Sequence, residues 1–221
     1  VRRLFLRAPS CIPPGEAPQR IKEDLLPAGP GAPPTRPSAL AKLAGMELCP
    51  PYNRQYGTQY LAVMPTNLYG PGDNYDLRTS HVLPALIRKA HEAKQRGDAA
   101  LVVWGTGKPR REFLYSDDMA DACAALLRLD NGRFREAIGV YPPLVNIGCG
   151  ADLTIRELAE LVARVVGFKG ALQFDASKPD GTPRKLLDVS RMTRLGWSAR
   201  IGIEEGIALA YREFLGRSGV R

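Results

Sequence analysis

Four short runs of β-prone apolar residues punctuate this chain: QYLAVM (Gln59–Met64), ALVVW (Ala100–Trp104), LVNIG (Leu144–Gly148) and ALQFDA (Ala171–Ala176). Longer stretches of helical composition lie between them. Parallel strands are buried on both faces and need helical crossovers, so they read as unbroken apolar runs spaced by helices. The alternation therefore predicts an α/β fold. Val1–Leu6 and REFLYS (Arg111–Ser116) are two further candidate strands. Helices are expected over Ser38–Cys49, His81–Arg96, Asp117–Leu129, from Thr154 to Val166, and near Ser190–Leu195 and Ile203–Leu215. Ser116 is expected to cap the third of these, with Asp117 and Asp118 favouring the macrodipole. Thr154-Ile155-Arg156-Glu157 has the capping-box spacing.

Proline limits the first part of the chain. Residues 1–51 hold eleven of the nineteen prolines. Leu26–Pro37 (LPAGPGAPPTRP) is expected to be a surface loop, because proline removes a donor and fixes φ. Pro50-Pro51 is expected to stop or kink the helix that starts at Ser38.

Charge narrows the partners. The net charge is +8, which implies an anionic partner. The aromatic stripes and basic runs of nucleic-acid modules are absent, so a phosphorylated small substrate is expected and no nucleic acid. Cys11, Cys49, Cys123 and Cys149 form no C-x-x-C pair, and His81 and His91 are the only histidines. No metal site is expected, and the thiols fit a reducing, cytoplasmic setting. No apolar run approaches the roughly 18 residues that span a bilayer, so no membrane partner is expected. None of the G-x-G pairs is followed by the third glycine of a dinucleotide fingerprint. A phosphate loop, if the family has one, is expected upstream of Val1.

Candidate ligand groups cluster at expected strand ends, where open α/β sheets bind their ligands. Thr66 and Asn67 follow QYLAVM, with Gly70-Pro71-Gly72 close behind, although the same residues also suit a plain turn. His81 opens a helix and could move a proton near neutral pH. Trp104 ends ALVVW and is followed by Lys108, Arg110 and Arg111, an aromatic with a basic cluster. DASKPDGTPRKLLDVSR offers Lys178, Arg184 and Lys185 as a further basic loop. Cys11 follows the first candidate strand, as a reactive thiol or a small buried hydrophobe.

Taken together, YNRQYGTQYLAVMPTNLYGPGDNYD, SHVLPALIRK, VVWGTGKPRREFLYSDDMA, TIRELAELVARVVGFKG and FDASKPDGTPRKLLDVSR resemble the GDP-L-fucose synthase family of extended short-chain dehydrogenases. The likeness runs from about Tyr52 to about Leu215 and is weaker over residues 1–51. It implies an NADP(H)-dependent epimerase/reductase acting on GDP-4-keto-6-deoxy-D-mannose. It also implies an α/β fold comprising a partial Rossmann-type parallel sheet that lacks its first βαβαβ portion, plus a smaller mixed α/β substrate domain. Residues 1–76 would belong to the dinucleotide-binding domain. Residues 77–221 would be mainly substrate domain, with some segments returning to the first. A cytoplasmic homodimer is implied at full length.

By the same resemblance, Cys11 and His81 invert the sugar carbons beside the ketone. Lys42 is the lysine of the reductase set. Lys42, Pro65, Thr66, Asn67, Leu68 and His81 contact the cofactor. Lys89, Trp104, Arg111 and Asp180 contact the substrate. Two departures stand out. Ser38 occupies the place of the catalytic tyrosine, four residues before Lys42, and its hydroxyl is a much weaker acid than a phenol. Pro9 stands where the catalytic serine belongs, with Ser10 beside it. Impaired reduction is therefore expected of the chain as written. The alternatives are a non-catalytic sugar-nucleotide-binding fragment and a related nucleotide-sugar epimerase.

Overall fold

The computed structural model describes residues 2–7, 19–25, 36–138 and 141–217. In chain order the first elements are β1 (Arg3–Arg7), a 3-10 turn at Glu23–Leu25, α1 (Arg36–Tyr56), β2 (Gln59–Pro65) and β3 (Asn67–Tyr69). Next come α2 (Val82–Arg96), β4 (Ala100–Trp104), β5 (Arg110–Arg111), β6 (Phe113–Tyr115), α3 (Ser116–Arg128) and α4 (Asn131–Ile138). The chain continues with β7 (Leu144–Ile147), β8 (Leu153–Thr154), α5 (Ile155–Val166), β9 (Ala171–Asp175), β10 (Arg184–Lys185), α6 (Ser190–Arg194) and α7 (Ile203–Arg217). The fold is α/β.

A parallel sheet in the order β1-β2-β7 forms one half of the described structure. Strand alternation sends the side chains of β2 to opposite faces. Ala62 and Met64 pack with Met46 of α1, and with Ile21, Leu144 and Leu187. Leu61 and Val63 pack on the other face with Met119 and Leu126 of α3 and Phe134 of α4. Burial on both faces is why QYLAVM lacks polar alternation. Phe134 is fully buried, which stabilises this layer by roughly 1.5–3 kcal/mol.

A second core gathers α2, α5 and α7 around the parallel pair β4-β9. Leu83, Ile87 and Ala90 of α2 meet Leu158 and Val162 of α5 and Ile207 of α7. Thr154 caps α5 through a complete capping box with Glu157. Gly97 ends α2 with φ +70°, a left-handed conformation that only glycine adopts cheaply.

Several expectations change. The Pro50-Pro51 pair does not stop the helix, because α1 continues to Tyr56. Tertiary anchors hold its last turns: the Asn53 amide donates to Tyr60 O at 2.9 Å, and the Tyr60 N–H donates back to Asn53 Oδ1 at 2.7 Å. The helix also begins before Pro37, where a first-turn proline loses no hydrogen bond. Residues 26–35 of the expected loop lie outside the described residues. REFLYS splits into β5 and β6 with Glu112 between them. Ser116 is already helical, and Tyr115 takes the N-cap position without a side-chain cap. The first strand is Arg3–Arg7, only half-buried.

Candidate active site

Helix α2 and the end of β4 build one wall of a cleft. Val82 and Lys89 are seven residues apart on α2 and so share a face. Val82 lines the cleft together with Trp104, Gly107, Arg111, Pro179 and Asp180. Lys89 Nζ stands 4.7 Å from the Trp104 ring centre, and Lys178 Nζ stands 5.6 Å from it. The indole is 61% exposed, unusual for a tryptophan at a strand end and suited to stacking on a planar group. Burial holds the Lys89 ammonium below the usual lysine range.

Arg111 is fastened at one nitrogen only. Its Nη1 donates to Arg110 O at 2.8 Å and to Thr182 O at 2.5 Å. No described residue accepts from its Nε or Nη2. Burial pulls this guanidinium's pKa down and the Asp180 charge pushes it up, with burial winning. Asp180 accepts from Thr106 N at 2.9 Å and Thr106 Oγ1 at 2.6 Å. The Thr106 hydroxyl bond, seconded by the backbone one, holds its carboxyl below the usual range. Asp180 thus clasps the Gly105–Gly107 turn. Gly105 has φ +83°, and a Cβ there would lie 2.3 Å from Asp180 Oδ1.

The second group lies at the carboxyl ends of β1 and β2. Helix α1 returns between these two parallel strands, so its first turns stand beside their carboxyl ends. Gly45 packs on Leu6, and Met46 is buried on the sheet. Lys42, one turn before Met46 and half-exposed, therefore sits at the strand-end edge, with Ser38 a further turn out. Pro65 ends β2. Thr66 Oγ1 and Asn67 Nδ2 both donate to Glu112 O, at 3.0 and 2.7 Å, and Leu68 follows in β3. His81 is the exposed N-cap of α2, next to Val82 of the cleft, and its side chain caps nothing.

The structure thus brings Lys89, Trp104, Arg111 and Asp180 together, with His81 at their border. Lys42 and Pro65–Leu68 gather at the strand ends. Cys11 and Ser10 lie outside the described residues. Sequence reading offered Lys178 within a basic loop that either clamps a sugar-pyrophosphate or is plain surface, and it gave Thr106 and Glu112 no role. The only signal for Glu112 is a charge inside an otherwise apolar strand region. Among the described residues no group of three or more His, Cys, Asp or Glu could hold a metal, and no helix is long and apolar enough to cross a membrane. A larger cleft, of about 480 Å³, opens at the opposite, strand-amino end beside Arg2, Arg54 and Arg135. Open α/β sheets bind their ligands at the other end.

The described strand-end residues offer a cation and polar side chains but no phosphate-binding turn. Lys42 supplies a cation, and the Thr66 and Asn67 side chains turn inward to Glu112 O. No glycine-rich turn opens a helix among the described residues, so no pyrophosphate cradle accompanies them.

Comparison with known proteins gives the family. Residues 1–147 match the NAD dependent epimerase/dehydratase family. GDP-L-fucose synthase of Escherichia coli (strain K12) is 50% identical over 215 residues, covering 97% of this chain and 67% of that protein. GDP-L-fucose synthase of Sinorhizobium fredii (strain NBRC 101917 / NGR234) is 48% identical, covering 97% and 66%. The chain therefore spans about two thirds of the length of these curated relatives. Among solved structures, the GDP-mannoheptose C4 reductase MlghC from Campylobacter jejuni with NADP bound superposes with a TM-score of 0.83 at 35% identity. That match covers 97% of this chain and 68% of the other. The chain belongs to the NAD dependent epimerase/dehydratase family, alongside the GDP-L-fucose synthases.

Proposed function

We propose that this chain forms the sugar-nucleotide side of a GDP-L-fucose synthase-type active site. Lys89, Arg111 and Lys178 would meet the diphosphate charge, Trp104 would stack on a planar or sugar face, and Asp180 would hold the turn beneath it. His81 at the cleft border would carry protons between opposite faces of a carbon beside the ketone, with Cys11 as its partner. Epimerisation of that kind removes a proton α to a carbonyl and returns one to the other face. Bound NADPH would supply hydride to the ketone carbon. Lys42 would hold the nicotinamide ribose, but Ser38 is a poor proton donor for the nascent oxyanion. We therefore assign these 221 residues a GDP-sugar-binding activity with weak or absent reduction. Residues 1–76 would serve the cofactor and 77–221 mainly the sugar nucleotide, in a cytoplasmic homodimer.

The observation that carries this reading is the shared cleft of Val82, Trp104, Arg111 and Asp180, with Lys89 over the indole. Calorimetry with GDP and UDP tests it, and GDP should bind at least tenfold more tightly. Addition of NADPH and GDP-4-keto-6-deoxy-D-mannose should give no oxidation, and deuterium uptake from D₂O into that sugar would report proton transfer alone. Absence of GDP binding refutes the reading, and turnover matching an intact relative refutes the impairment. Binding without deuterium uptake would favour the non-catalytic alternative, which Ser38 already favours over full activity.

A further inference from the structure

Glu112 is fully buried, yet no described cation pairs with it. Its Oε1 accepts from Gly150 N at 2.7 Å, and its Oε2 accepts from Leu187 N at 3.0 Å. Its backbone oxygen takes both the Thr66 hydroxyl and the Asn67 amide. One residue thus touches the end of β2, the loop after β7 and the segment after β10. The preceding residue, Leu186, donates its N–H to Gln19 Oε1 at 3.1 Å, which extends the connection to residues 19–25. On the other side Arg111, its chain neighbour, lines the cleft. The chain makes room for this carboxylate: a Cβ at Gly148 would lie 2.3 Å from Glu112 Oε1.

A buried carboxylate held by hydrogen bonds without a paired cation is costly, and an apolar side chain would fill the space more cheaply. Burial pushes its carboxyl upward, against the pull of the Leu187 and Gly150 N–H groups. What an apolar side chain cannot do is fix several backbone segments at once by direction-specific bonds.

We propose that Glu112 is a positioning residue that fixes the Thr66–Asn67 strand end relative to the Arg111 cleft, so that cofactor and sugar nucleotide meet in register. The inference rests on the GDP-sugar reading of that cleft. Glu112→Gln turns one acceptor oxygen into an NH₂ facing an N–H. Gly148→Ala, at a position without positive φ, displaces the carboxylate without altering its charge. Phe134→Leu, in the remote face of the sheet, serves as a control for lost stability alone.

The test is GDP affinity by calorimetry on the 221-residue chain, with amide hydrogen exchange read over 66–68, 109–112, 148–150 and 184–188. Glu112→Gln should weaken GDP at least tenfold and speed exchange in all four segments. Phe134→Leu should leave GDP affinity within twofold. Unchanged GDP affinity in Glu112→Gln overturns the proposal. If that variant does not fold, Gly148→Ala is judged by the same criteria. If the unsubstituted chain binds no GDP, the functional reading fails and exchange alone decides. Faster exchange reaching 66–68 and 109–112 then supports positioning, and faster exchange confined to 148–150 and 184–188 overturns it.

Discussion

The Lys89 ammonium stands 4.7 Å from the centre of the Trp104 indole, and Lys178 approaches the same ring at 5.6 Å. Two cations on one exposed indole, with Arg111 in the same cleft, concentrate positive charge where a stacking surface is free. An anion that also carries a flat ring satisfies both features, and a sugar nucleotide has both. Charge alone would suit any phosphate, so on the reading proposed above the indole would be what favours a nucleotide.

Trp104→Ala separates binding from stability. Trp104 is largely exposed, so its loss should change stability by no more than about 0.5 kcal/mol. Stacking on a base contributes roughly 1–3 kcal/mol, so GDP should bind about tenfold or more weakly. Calorimetry beside a melting curve checks this. A fall in melting temperature with unchanged GDP affinity would mean the ring is structural.

His91 sets a pH dependence near neutrality. It is buried on α2, its Nδ1 lies 2.9 Å from Tyr211 Oη, and its Nε2 has no partner. Burial, helped by the Lys94 charge, holds its pKa below the usual 6.5. A second proton would place an N–H against no acceptor. The unfolded chain therefore binds more protons below about pH 6.5, so stability should be full above that value and decline as pH falls through the lower folded pKa. Melting temperature recorded from pH 5 to 8 should show this slope. His91→Gln should flatten it, and an identical slope in the variant would exclude His91 as its source.

How much of this was legible in the sequence depends on where the determining contacts lie. QYLAVM and ALVVW announce β2 and β4 because their burial is written into continuous apolar runs. The α5 cap is legible because Thr154 and Glu157 act within one turn. Helix α4 escaped notice because NGRFREAI is mostly polar, and among its described side chains only Phe134 and Ala137 are buried. The cleft could not be read from spacing, since Arg111 and Asp180 are distant in sequence and meet only through the β5–β10 pairing nearby. The resemblance, not the periodicity, grouped them. Glu112 was missed for a similar reason, as its partners Gly150 and Leu187 come from other segments.

Asp152 clasps two arginines that the sheet places side by side. Arg110 and Arg184 are register partners in β5 and β10, and Asp152 accepts from Arg110 Nε at 3.0 Å and Arg184 Nε at 2.5 Å. Burial raises its pKa, but hydrogen bonds from Arg184 and Arg110 outweigh that and leave it below 3.8. The stabilisation is present above the unfolded value and should disappear as pH falls through the folded one. Asp152→Asn should cost roughly 1–3 kcal/mol at pH 7, allowing for the partial exposure of both arginines, and should remove that part of the acid-induced loss below pH 4. Urea unfolding at pH 7 and pH 3 measures both effects. Equal losses for the variant and the unsubstituted chain over that range would rule the clasp out.

The proline pair in α1 is an open stability deficit. Pro50 and Pro51 sit inside the helix and cannot donate to the carbonyls of Met46 and Glu47. An interior proline costs about 3 kcal/mol relative to alanine, and the stiffer unfolded chain offsets about 0.4–1 kcal/mol of that. The helix persists because Asn53 ties its last turns to Tyr60 and the Tyr52 ring stacks on Tyr60. Replacing both prolines by alanine should therefore raise stability by about 4–5 kcal/mol, seen as a rise of roughly 2–4 °C in Tm per kcal/mol. These positions lie toward the strand-amino end, away from Lys42, so GDP affinity should not change. A lower Tm in the double variant would show that packing of α1 on the sheet requires the proline geometry, and that helix propensity is the lesser influence there.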